Sequence, residues 1–434
     1  MIPLLLLLAV GGLMQAARSF LGADVAGTEL AFGYLLLVAY FTSKILSRIG
    51  LPKLTGYIIA GIVSGPFVLK LVTVDMTAAL KVVSNAATAI IALEAGSKLN
   101  LKAMRPIAGT LRALTVFATF GAIFALTAVL FVLRPFLPFF DQMTTTQSLA
   151  TCAVIGIVLS AKSPAVVVAM LAEMRAEGPL SQVMLASVVV ADLTVIVVFS
   201  IASAVASAVI GGGVDVVATS LSVAWELFGS MAFGVAIGML IGQFLISVRT
   251  GAPLFALMVC VVVAEVGARV HLDPLIVNLT AGIWLRNLSR ADTNDLLHGF
   301  ESAQLPVFLV FFALAGSHLD IYALSGSILV VGALVVTRAT SFFLGGRFAT
   351  KVSHAPDVVR KYAWFGLVPQ AGLALALATV LADTFPTFGK DAAVLVVGVV
   401  GANEMLAPVI LRALLLRSGE AGKKQGVDFA AGGH

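Results

Sequence analysis

VLSAKSPAVVVAML, Val158 to Leu171, sets a lysine and a proline in the middle of a segment that is otherwise oil. Proline removes a backbone donor and clashes with the preceding turn, so a helix through this stretch opens near Pro164, where Ser160, Lys162 and Ser163 adjoin the break. Far along the chain PQAGLALAL, Pro369 to Leu377, repeats the pattern, with Pro369 against Pro164 and Gln370 beside it. One such proline reads as a kink. A matched pair flanked by polar side chains reads as two interrupted helices.

The surroundings are membrane-spanning throughout. A chain that is 60% hydrophobic and 11% charged, with mean hydropathy +1.07, cannot hide its apolar residues in one soluble core. Apolar runs long enough to cross about 30 Å of hydrocarbon as helix recur from end to end. We place spans at 1–17, 29–47, 52–70, 80–97, 106–132, 148–172, 181–209, 221–247, 253–270, 272–288, 300–317, 322–348, 358–383 and 390–416. The runs are continuous and do not alternate, which predicts an all-α polytopic protein rather than a β-barrel. Of the 27 Lys and Arg residues, only Arg18, Lys70, Lys81, Arg134, Arg269 and Lys390 fall on one side. Lys162 and Arg338 fall inside the membrane, and all the rest collect on the other side. This bias predicts an inner-membrane protein with a cytoplasmic C-terminus.

Span 1 has no basic region before it and reads as a retained helix rather than a signal peptide. Cys152 and Cys260 read as small buried side chains. No zinc-ligand spacing and no phosphate-cradling loop is present, so the sequence predicts no enzyme, cofactor or structural metal. The charge of +5 reflects the loop bias and calls for the anionic bilayer face, not nucleic acid.

Two further matches accompany the proline pair. LPKLTGYIIAGI, Leu51 to Ile62, recurs as LDPLIVNLTAGI, Leu272 to Ile283; EAGSKLNL, Glu94 to Leu101, recurs as LAGSHLDI, Leu314 to Ile321. An odd number of spans separates corresponding helices, so the copies are predicted to be inverted in the membrane, the plan of secondary transporters. The predicted organisation is an extra N-terminal helix and loop at 1–28, six-helix repeats at 29–209 and 253–416, a linking helix within 210–252, and a disordered tail at 417–434.

Intramembrane charge marks the working residues. Asp192 stands alone in MLASVVVADLTVIVVF, which also holds Ser187. Removal from water favours the protonated form of a carboxylate, so a proton and a cation compete for its oxygens. Arg338 cannot discharge and reads as a fixed structural cation, satisfying the dipoles of the broken helices or pairing with a buried acid. Glu94, near a span end, and the deeper Glu265 and Glu404 are lesser candidates, with Glu404, next to Asn403, a possible partner for Arg338. His318 reads as a cap or loop residue.

LPKLTGYIIAGIVSGP, ALEAGSKLNL, SAKSPAVVVAML, the lone Asp192 and GLVPQAGLALAL together resemble the monovalent cation:proton antiporter superfamily, the sodium/proton exchanger-like fold, over residues 29–416. The resemblance implies thirteen or fourteen helices, a homodimer on panel-like scaffold helices, and a core with two crossing broken helices that moves as an elevator. It implies that Asp192 binds the transported cation, sodium or potassium, and the proton, that Pro164 and Pro369 mark the crossing, and that Arg338 stands where the family commonly has a basic residue. The chain departs from the family at Ala191-Asp192, where Asn-Asp or Asp-Asp is usual, and at Lys162, where Thr or Ser is common. Lys162 is therefore expected to reach towards Asp192.

Two consequences are open. Lys162 titrates with Asp192, giving two protons per cation and a dependence on voltage of about 2.3 kcal/mol per charge per 100 mV. Alternatively it stays charged and fills the site, which suits an anion or organic solute with Lys162 as the binding charge. A non-transporting membrane sensor or subunit is the third reading.

Overall fold

The protein is seen in a computed structural model that describes residues 2–21, 28–210, 221, 224–248, 251–270, 272–291, 293–318 and 328–423. Among the described residues every regular element is helical, as expected where no water is available to satisfy an open strand edge. In chain order the helices are α1 (Ile2–Leu21), α2 (Thr28–Arg48), α3 (Lys53–Ser64), α4 (Lys81–Lys98), α5 (Arg105–Phe136), α6 (Thr145–Ser160), α7 (Pro164–Glu173) and α8 (Pro179–Ile210). There follow α9 (Trp225–Ser247), α10 (Ala252–Val270), α11 (Pro274–Asn287), α12 (Asn294–Ser317) and α13 (Ile328–Val352). The last are α14 (Asp357–Tyr362), running into a 3₁₀ turn at Ala363–Leu367, then α15 (Gly372–Thr384) and α16 (Gly389–Ser418). Eight helices among the described residues are long and apolar enough to cross a membrane, and Lys53–Ser64, Ala252–Gly267 and Leu305–Ser317 are shorter apolar ones. The chain is a multi-pass membrane protein.

Local chemistry sets the ends. Thr144 and Gln147 form a reciprocal capping box at the start of α6. Asp273 caps α11 by accepting from the Leu275 and Ile276 amides at 2.7 and 3.3 Å. The span expected at 52–70 stops short, at Ser64. Pro66 disfavours the helical conformation at Gly65, which is extended, and the chain folds back with the Lys70 amide on Gly65 O and the Val72 amide on Ser64 O.

Packing sorts the helices into two groups. In the first, α4 packs on α11, α11 on α9, α3 on α2 and α12, and α10 on α4. In the second, α5 packs on α6 and α13, α8 on α6, and α15 on α16. Contact between the groups runs mainly through α7 against α4 and α16 against α3. The second group joins elements from both ends of the chain.

The tail expected to be disordered from 417 is ordered as far as 423. Glu420 is buried, and its carboxylate accepts from the Leu180 amide, the Ser181 amide and the Ser181 hydroxyl at 2.7–2.8 Å. A carboxylate there satisfies the orphan amides and faces the positive end of α8. Residues 424–434 lie outside the described residues, as do 211–220 of the linking segment.

Candidate functional site

The two breaks form where the prolines mark them, but neither proline kinks a continuous helix. Ala161 and Ser163 are extended, and Pro164 opens α7 at its first position, where a missing amide costs nothing. Ser163 caps α7, its hydroxyl accepting from the Val166 amide at 3.2 Å. Pro369 lies in the segment between the 3₁₀ turn and α15, which begins at Gly372 after an extended Ala371.

The carbonyl ends of both half-helices converge on Arg338. Its Nε donates to Leu159 O at 2.8 Å, Nη2 to Ala161 O at 2.7 Å and Leu367 O at 3.4 Å, and Nη1 to Val368 O at 2.5 Å. A helix C-terminus leaves unpaired carbonyls and partial negative charge, and the guanidinium fork answers two such ends at once. The expectation that Arg338 satisfies the broken helices fits this geometry, whereas pairing with Glu404 does not occur. Both Glu404 carboxyl oxygens are buried without a partner. Gln370 ties the breaks again, donating to Leu159 O at 3.1 Å and accepting from Asn403 Nδ2 at 2.9 Å.

Asp192 sits at this junction. Its Oδ1 accepts from the Lys162 backbone amide at 3.0 Å, and its Oδ2 is buried with no partner. The Lys162 side chain does not reach Asp192 as expected. Its ammonium donates to Thr119 Oγ1 at 3.1 Å and lies 5.0 Å from the centre of the Phe342 ring. Among the described residues no ion pair joins the two. Lys162 and Arg338 are both fully buried.

The remaining candidates lie elsewhere or serve their own helices. The Ser160 and Ser187 hydroxyls turn back to Ile157 O and Met184 O. Glu94 is buried on α4 and pairs with Lys98. Glu265, expected deep, is half exposed on α10 and pairs with Arg269 one turn on. His318 is the C-cap of α12, as expected. Thr119, Phe342 and the amide of Asn403 were not singled out as site residues. A threonine or phenylalanine in an apolar span carries no signal of its own, whereas an asparagine next to Glu404 in such a span does.

Two cavities lie between the helix groups. One is lined by Lys162, Ser163 and Pro164 together with Ile91 and Ala95 of α4 and Leu279 of α11. The other is lined by Ile196 and Phe199 of α8, Leu373 and Leu377 of α15, and the carboxylates Glu226 and Asp273.

A buried carboxylate at the meeting of two broken helices, flanked by cavities between two helix groups, defines a membrane carrier. The chain belongs to the transmembrane sodium/hydrogen exchanger family, which matches residues 34–417, and so to the monovalent cation:proton antiporter superfamily, a family of transporters. Its fold is similar to that of the sodium proton antiporter MjNhaP1 from Methanocaldococcus jannaschii. The structure at pH 8 is 14% identical, covers 90% of this chain and 96% of that one, and has a TM-score of 0.63. A structure of the same antiporter from an electron-microscopy map is also 14% identical, covers 89% and 96%, and has a TM-score of 0.66. No curated protein matches the chain.

Proposed function

We propose that the protein exchanges a monovalent cation, sodium or potassium, for protons by elevator-type alternating access centred on Asp192. The observation that carries this reading is the buried, unpartnered Oδ2 of Asp192 beside the crossing breaks. A buried carboxylate oxygen without a hydrogen-bond partner is costly, and either a proton or a cation removes that cost by binding the same atom. A group that crosses only when neutralised couples the two movements in opposite directions. Arg338 has already taken the carbonyl ends that could otherwise hold a cation, so Asp192 is left as the anionic ligand.

The wider frame is proposed with it. Residues 29–209 and 253–416 are inverted copies, the second helix group moves against the first, and the first group builds a homodimer. The basic ends face the cytoplasm across the inner membrane. One observation favours the alternative of an anion or organic solute, namely that Lys162 and Arg338 are buried against a single carboxylate. The engagement of Lys162 with Thr119 speaks against it, because the ammonium is not free for a substrate.

The test is proton movement in proteoliposomes on addition of sodium, then potassium, with the voltage clamped. Cation-driven proton movement that disappears in Asp192→Asn supports exchange. Movement that persists in Asp192→Asn, or its absence with both cations across the pH range, rejects it.

A further inference from the structure

Lys162 has no task in cation exchange as described so far. An ammonium beside a carboxylate should pair with it, and this one bonds a neutral hydroxyl instead. The stem begins at the very residue whose amide Asp192 holds, and a lysine stem is long and freely rotatable. If the ammonium took Oδ2 it would be a tethered cation filling the place of the transported one.

The place it occupies is built for it. Thr119 is fully buried in the π-helical stretch Leu114–Phe120, whose wider i→i+5 turn shifts the facing of the residues that follow it. Its hydroxyl lone pairs accept from an ammonium. Phe342, one turn beyond Arg338 on α13, is also fully buried and offers its ring within cation–π range. The Arg338 guanidinium lies 4.8 Å from the centre of the same ring, but four carbonyls fix it in place.

We propose that Thr119, with Phe342, forms a berth that holds the Lys162 ammonium off Asp192 Oδ2, which makes Thr119 a positioning residue for binding of the transported monovalent cation. This rests on the cation binding at Asp192 on which the proposed exchange is built. Without the hydroxyl the ammonium moves to Oδ2 and competes with the cation.

The test compares wild type, Thr119→Val, Thr119→Ser, Lys162→Met and the double variant Thr119→Val/Lys162→Met in proteoliposomes, titrating sodium and potassium at fixed pH. Thr119→Val is expected to raise the half-saturating cation concentration about tenfold with little change in maximal rate. Thr119→Ser is expected to keep wild-type affinity, and Thr119→Val to have no effect once Lys162 is methionine. Unchanged affinity in Thr119→Val, or the same loss in the Lys162→Met background, overturns the berth while leaving exchange intact.

Binding is read separately from transport by the rise in Tm of the detergent-solubilised proteins on sodium or potassium titration. If wild type is stabilised by a cation but does not exchange it, exchange falls, and the berth is still judged by whether Thr119→Val needs about ten times more cation for the same rise. A wild type neither stabilised nor driven by either cation overturns both.

Discussion

Four backbone carbonyls meet at Arg338, and the energetic consequence exceeds that of an ordinary surface charge. Removing the guanidinium leaves Leu159 O with Gln370 alone and takes the side-chain donor from the Ala161, Leu367 and Val368 carbonyls in a dry interior, and breaking a buried charged network in this way costs about 3–5 kcal/mol. Lysine keeps the charge but has no planar fork to span acceptors on both helices. Thermal unfolding in detergent is expected to rank wild type above Arg338→Lys, and Arg338→Lys above Arg338→Ala. A Tm for Arg338→Ala equal to wild type would show that the carbonyls find other partners. The role of Arg338 was legible because its charge cannot be discharged, yet its partners were not, since four main-chain oxygens leave no trace in side-chain identities. The same blindness applies to Lys162. Its proximity to Asp192 in the fold is real, through the amide, but the direction of a long side chain is decided by Thr119 and Phe342 from elsewhere in the chain.

Among the elements, α4 and α11 approach closely enough that backbone meets backbone. A methyl group on Gly96 would fall on Leu279 O, and one on Gly282 on Leu93 O, each well inside contact distance. Small residues at such crossings allow van der Waals packing where hydrophobic association gives no drive, and a rigid main-chain oxygen cannot yield as a side chain would. Gly282→Ala is therefore expected to destabilise by about 1–3 kcal/mol through overpacking, whereas Gly332→Ala on α13, with open space around it, is nearly neutral. Equal Tm values for the two variants would contradict the crossing geometry. At this level the two breaks were readable, because they fall beside their prolines, whereas the glycine crossings were not singled out. What was not readable was the early end of α3, since a hydropathy run records apolarity and not the point where the chain before Pro66 leaves the helix.

Across the whole molecule the two helix groups are tied at the end rich in basic residues. There Glu173, closing α7, accepts from the Lys53 and Leu54 amides at 2.7 and 3.4 Å, and Arg412 of α16 donates to Gly50 O at 2.5 Å. In the sequence these two charges, Glu173 and Arg412, were only residues near span ends, because nothing local says which turn of another group they will grip, and the grouping itself cuts across the repeats expected from the sequence. Sliding of one group against the other, the movement proposed for exchange, has to break these bonds before the site can open at the basic end. The double variant Glu173→Ala/Arg412→Ala removes them and should shift the balance by at least about tenfold, given roughly 0.5–1.5 kcal/mol net for each of the three bonds. Apparent affinity scales with the fraction of molecules competent to bind. The half-saturating cation concentration is thus expected to fall when the basic end faces the added cation, and to rise when vesicles present the opposite end. Changes of the same sign on both faces, or none, would mean that Glu173 and Arg412 hold the fold together without governing which side is open.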